Sequence, residues 1–183
     1  MGLYRASAKY EAGQSVEMPT SLPEHPGVAI VAAITRARIG TPEQRQMGRR
    51  QVEERLRSSS SPWLEAWLRA GLGRSLVQER DVASRRRGVL ELLEVPARFG
   101  KTHAYLSGVA LAEASVTMDS LGDASSASIL RQDLARTYPT HPALTWPPIR
   151  DALSRDGIDV DSTRESTAAA QPTNPGTQPE PPR

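Results

Sequence analysis

Arg74-Ser-Leu-Val-Gln-Glu-Arg-Asp-Val-Ala-Ser-Arg-Arg-Arg-Gly-Val-Leu-Glu-Leu-Leu-Glu-Val95 decides how the chain is read, because apolar periodicity and a triple arginine meet in it. Leu76, Ala83 and Leu90 recur every seven residues, with Val82, Val89 and Leu93 beside them. That spacing predicts one helix with a single apolar ridge, ended by Pro96. Arg80, Arg85, Arg86 and Arg87 then fall to water or to a polyanion. Gly71 and Gly73 precede the stretch and are expected to loosen the chain before this central helix.

The composition around the stretch agrees with helices. Only 4% of the 183 residues are aromatic, with a single Phe, so the core rests on Leu, Val, Ala and Ile. Such a core suits helix packing better than a β-sandwich. The expected class is all-α, a bundle of about four to six helices. An N-terminal arm (1–27) and a Pro/Thr/Gln-rich tail (158–183) are expected to be flexible, flanking a helical domain (28–157), because neither end shows sustained apolar periodicity.

Toward the N-terminus, Val28 to Ile39 followed by Gly40 reads as a helix closed by glycine. Thr41-Pro42-Glu43-Gln44 is a start signal, with Thr41 as N-cap, proline at the first position and Gln44 completing a capping box. The helix it opens runs to about Arg57 and offers i,i+4 pairs Arg49–Glu53, Arg50–Glu54 and Glu53–Arg57. Arg45 and Arg55 are left the freest. Ser61-Pro62 starts another helix that carries Trp63 and Trp67 one turn apart. Two indoles on one face suit a core or subunit contact better than a base-stacking platform, and both are taken as an assembly contact.

Toward the C-terminus, Tyr105, Val109, Ala112 and Val116 form an amphipathic stripe rich in alanine. Asp123 caps a helix through Ala127, Leu130 and Leu134 that ends near Tyr138-Pro139, and a short helix from Ile149 to Arg155 follows.

Charge is uneven although the net is only +2: residues 36–101 hold fifteen basic against eight acidic groups, and residues 102–183 six against ten. Arginine supplies 21 of the 23 basic residues, a bias that a GC-rich coding sequence also produces. Arg45, Arg49, Arg74, Arg85, Arg86 and Arg87 are the candidate nucleic-acid contacts, binding phosphates through bidentate forks without reading sequence. A helix-turn-helix does not fit, since with Ala83 in the first helix the turn glycine belongs at 87 and stands at Gly88.

Catalytic and metal chemistry finds little footing. There is no cysteine, which excludes disulfides, thiolate sites and a cysteine nucleophile. His25, His103 and His141 are isolated, and two of them precede proline; no metal is expected. Ser107 lacks the flanking glycines of a nucleophile elbow, Tyr105 and Val109 standing in their place. Gly100-Lys101-Thr102 resembles the end of a phosphate-binding loop, but the first glycine of that loop falls on Val95. The acidic pairs are adjacent residues or lie in the tail, not in separate environments. No cofactor and no enzymatic activity are expected. Without an apolar run long enough for a bilayer, and without an apolar secretory core in the first twenty residues, the expected location is cytoplasmic.

Thr137-Tyr138-x5-Leu144-x-Trp146 resembles a C-terminal signature of rod-shaped plant virus coat proteins, and Ser84-x-Arg86-x-x-Val89-x-x-x-Leu93 looks like one helix of those bundles. The resemblance implies a four-helix bundle that stacks around RNA, hence an RNA-coating role and a place in a virion. The sequence thus leads to a non-enzymatic helical protein that assembles, as a homo-oligomer, and contacts nucleic acid, RNA before duplex DNA. The alternative is a cytoplasmic protein–protein adaptor whose arginines are merely solvated.

Overall fold

The computed structural model describes residue 9, residues 24–59 and residues 61–158. Most of the expected arm and all but the first residue of the tail therefore lie outside the described residues. Within them the chain forms seven α-helices and no strand: α1 (Pro26–Ile39), α2 (Pro42–Ser58), α3 (Pro62–Leu76), α4 (Val82–Phe99), α5 (Ala104–Ser120), α6 (Ala124–Thr137) and, after a 3-10 turn at Pro142–Thr145, α7 (Pro147–Arg155). The class is all-α as expected, with one helix more than the upper expectation.

The start signals work through the chemistry that announced them. Thr41 accepts from the Gln44 N–H at 3.3 Å while the Gln44 side chain accepts from the Thr41 N–H at 2.9 Å, closing the capping box. Asp123 accepts from the Ser126 N–H at 3.0 Å. Gly40 does close α1, but with extended backbone instead of the left-handed turn usual for glycine.

The decisive stretch is corrected. Residues 74–95 are not one helix: α3 stops at Leu76, a turn follows, and α4 begins on Asp81, whose carboxylate accepts from the Ser84 N–H at 2.7 Å. That cap satisfies an N–H group a new helix would otherwise leave bare, and it competes with continuing the old one. The heptad ridge disappears with the break. Leu76 is buried in α3, whereas Leu90 is 65% exposed on α4. The buried stripe of α4 is instead Val89, Leu92, Val95 and Phe99. Pro96 does not end α4 either; it sits in the last turn, and its carbonyl accepts from the Gly100 N–H at 3.1 Å.

Gly73 does not loosen the chain but lets two helices touch. A Cβ there would lie 2.9 Å from the Gly88 carbonyl oxygen, and one on Gly88 would lie 2.9 Å from the Gly73 oxygen and 2.8 Å from the Val77 nitrogen. The α3–α4 crossing is therefore backbone on backbone, a separation that only hydrogen at both positions permits.

Three apolar clusters are strung along the chain. Ala33, Val52, Leu68 and Leu72 join α1, α2 and α3. Ala66, Leu92, Val95, Phe99 and Ala110 join α3, α4 and α5. Leu111, Leu134, Leu144, Ile149 and Leu153 join α5, α6 and α7. Helices α3 and α5 each serve two clusters, so α5 is not the one-sided helix its stripe predicts. Tyr105 is exposed, while Leu106, Ala110 and Ala114 are as buried as Val109 and Ala112. Alanine, serine and glycine let neighbours close on several sides of it at once.

Candidate interaction surface

The six candidate arginines divide into three groups. On α2, the Arg49 guanidinium lies 2.5 Å from a Glu79 oxygen, and the Arg45 Nε lies 3.7 Å from the same oxygen. Arg87 reaches from α4 to Glu53 of α2 at 2.6 Å, which adds it to this side of the molecule. Arg74 points elsewhere, to Glu113 of α5 at 2.6 Å. Arg85 donates to the Ser120 hydroxyl at the end of α5, and Arg86 stands exposed beside Asp123.

The pairing expected along α2 is replaced by pairing to other segments, the turn after α3 and helix α4. Arg49 takes Glu79 and Glu53 takes Arg87, while no ion pair joins Arg50 to Glu54 among the described residues. Arg45, expected among the freest, also donates to the Gly40 carbonyl at 3.1 Å. A guanidinium on a long stem selects the carboxylate that packing brings near, which i,i+4 spacing does not reveal.

The most constrained arginine was not a candidate. Arg131 on α6 is only 3% exposed and holds Asp119 at 2.6 Å and Asp156 at 2.7 Å, tying the ends of α5 and α7 to α6. Its hydrogen bond holds the Asp156 carboxyl below the usual aspartate value, with burial opposing. Glu65 is a second node, accepting from Arg69 at 2.9 Å and from Arg98. Burial works to raise its pKa, and the hydrogen bonds from those two arginines lower it. Arg131 carries no local sequence signal, because its partners are 12 and 25 positions away.

Two histidines have structural work that their isolation in the sequence did not announce. His25 and His141 each precede proline, and each Nδ1 accepts the N–H two residues on, from Gly27 at 3.1 Å and from Ala143 at 3.0 Å. The buried His141 ring also bonds the Tyr105 carbonyl at 2.8 Å through Nε2 and lies against Gly108. No group of three metal-ligating side chains occurs among the described residues. Ser107 is enclosed in the core. Gly100-Lys101-Thr102 is the turn after a helix, where a phosphate-binding loop follows a strand.

Trp63 and Trp67 are not in the core. They are 58% and 41% exposed, with ring centroids 6.3 Å apart and planes tilted by 50°. Trp67 borders a 410 Å³ groove between α1 and α3 whose lining includes Val31, Ile34, Ala70 and Leu106. The residues that carry the coat-protein resemblance serve the fold: Leu144 is buried, Trp146 packs on the same cluster, and the Tyr138 hydroxyl donates to the Gly100 carbonyl at 3.3 Å.

No helix among the described residues is long and apolar enough to cross a membrane. No family model, curated protein or solved structure matches the chain.

Proposed function

We propose that this chain is a non-enzymatic helical adaptor that binds another protein surface, a second copy included, through the face carrying Trp63 and Trp67. One observation carries the reading: two neighbouring indoles of large apolar area, Trp63 and Trp67, stand exposed to solvent, and Trp67 edges an apolar groove. Large exposed aromatics with an apolar surround mark association sites in soluble proteins. The nucleic-acid reading ranks second. Arg45, Arg49, Arg74 and Arg87 already have carboxylate partners, so a phosphate backbone would compete with Glu79, Glu113 and Glu53 for each of them.

Light scattering on the native chain and on Trp63→Ala/Trp67→Ala, with single-stranded RNA titrated into both across salt, tests the two readings together. Docking of a second copy on the tryptophan face expects particle size to depend on concentration and to fall in the double variant, docking of a different protein expects a constant monomer, and both expect weak RNA binding. RNA affinity that is high, steeply salt-dependent and indifferent to the tryptophans would transfer the function to the arginines.

A further inference from the structure

Gly48 lets α2 lie backbone to backbone on α1, since a Cβ there would stand 2.5 Å from the Ala37 nitrogen and 2.8 Å from the Ala33 carbonyl oxygen. Past that contact, toward the start of α1 and the end of α2, a cleft of 540 Å³ lies between the two helices. Its floor is aliphatic, made by Val28, Ile30, Ala32 and Ala33 of α1 with the fully buried Leu68 of α3 beneath. Alanines at this point of α1 leave the space that longer side chains would fill. The volume is that of a small-molecule site.

Arg36 of α1 and Gln51, Glu54 and Arg55 of α2 stand around this floor. None of the three charged side chains has an ion-pair partner within 4.0 Å among the described residues. That sets them apart from Arg49, Arg74 and Arg87, each of which has found a carboxylate on another segment. Two cations and an anion thus share one cleft without meeting.

We infer that this cleft binds a nucleoside monophosphate. Such a ligand carries an anion at one end and N–H donors at the other, so it satisfies all three groups together. Its phosphate lies between the Arg36 and Arg55 guanidiniums, which offer forked donors. Its flat base covers the aliphatic floor, with an amino group donating to Glu54 and the Gln51 amide, donor and acceptor in one, on the base edge. A bare anion would meet the repulsion of Glu54, a cation that of two arginines, and an uncharged apolar molecule would leave all three without partners. Ser58 also lines the cleft, but its hydroxyl already donates to the Glu54 and Arg55 carbonyls, which leaves the phosphate to the arginines. No aromatic ring is present in the lining among the described residues, so the stacking platform that holds successive bases of a strand is missing, and a single nucleotide fits better than RNA. Neither Trp63 nor Trp67 borders the cleft, and the inference stands apart from the adaptor reading.

Calorimetric titration of the full chain with AMP, adenosine and inorganic phosphate tests it. AMP should bind at least about tenfold more tightly than either of the others, because only AMP fills both ends of the cleft. Arg36→Gln/Arg55→Gln should remove the advantage of AMP over adenosine. Glu54→Gln should raise the affinity for inorganic phosphate and so narrow its gap to AMP, a gain that loss of folding cannot imitate. Trp63→Ala/Trp67→Ala should change none of these. Equal binding of AMP and phosphate would overturn the inference by reducing the site to two arginines that hold any anion. So would equal binding of AMP and adenosine, or AMP affinity that survives Arg36→Gln/Arg55→Gln, or no heat with millimolar AMP in a chain with native circular dichroism. Any of these results leaves the tryptophan face to be judged by its own variants.

Discussion

Arg131 and the Arg85–Arg87 run occupy neighbouring parts of one molecule and show how little residue type says about an arginine's task. Arg131 stands alone in sequence, is almost fully enclosed and binds two aspartates from different elements. The triple arginine draws the eye, yet its members go three ways: to a hydroxyl, to an exposed position beside Asp123 and to a glutamate on α2. Burial decides which of these charges the fold depends on. An enclosed ion stripped of its partners keeps its desolvation cost, whereas an exposed one regains water.

Replacing Arg131 by leucine is the harshest trial of that contrast. It leaves Asp119 and Asp156 together without the counter-ion they share, and urea unfolding should show a loss of about 3–5 kcal/mol. A loss under about 1 kcal/mol would put Arg131 in the class of surface pairs. The same site governs the response to acid. The Asp156 pKa is depressed below its ordinary 3.8 in the folded chain, so the stability it contributes is complete above that value. It disappears as pH falls through the lowered folded value. Melting temperature followed downward from pH 5 should decline in the native chain, and that decline should be shallower in Arg131→Leu.

Gly88→Ala carries the contrast from charge to packing. The added methyl meets backbone on two sides, and thermal melts should report a loss of about 1–3 kcal/mol. Thr41→Ala removes a cap and should cost about 1 kcal/mol, with loss of helix signal confined to the α2 end. Arg87→Ala is the mildest. Its pair with Glu53 is half in water, so the change in unfolding free energy should stay below about 1 kcal/mol. A larger loss would mean that the α2–α4 contact leans on that ion pair.

The sequence by itself determined where several helices begin and what class of fold they make. Thr41 with Gln44 and Asp123 act through hydrogen bonds within a few residues, Pro62 through its fixed φ at the first helical position, and none of these requires knowledge of the rest of the chain. It also placed Tyr138, Leu144 and Ile149 near one another in order along the chain, though not their common cluster. Tertiary structure decided the remainder. The break at Val77–Asp81 is shared between the two, since Asp81 caps α4 within three residues while the crossing of α3 and α4 at Gly73 and Gly88 joins positions 15 residues apart in sequence. Which carboxylate each arginine takes, whether Trp63 and Trp67 face core or solvent, and which charges share the cleft between α1 and α2 all depend on distances between helices. Periodicity records only which face of one helix is apolar, and a helix crowded on several sides, as α5 is, or left uncovered, as α4 is at Leu90, has its burial set by neighbours that its own sequence does not name.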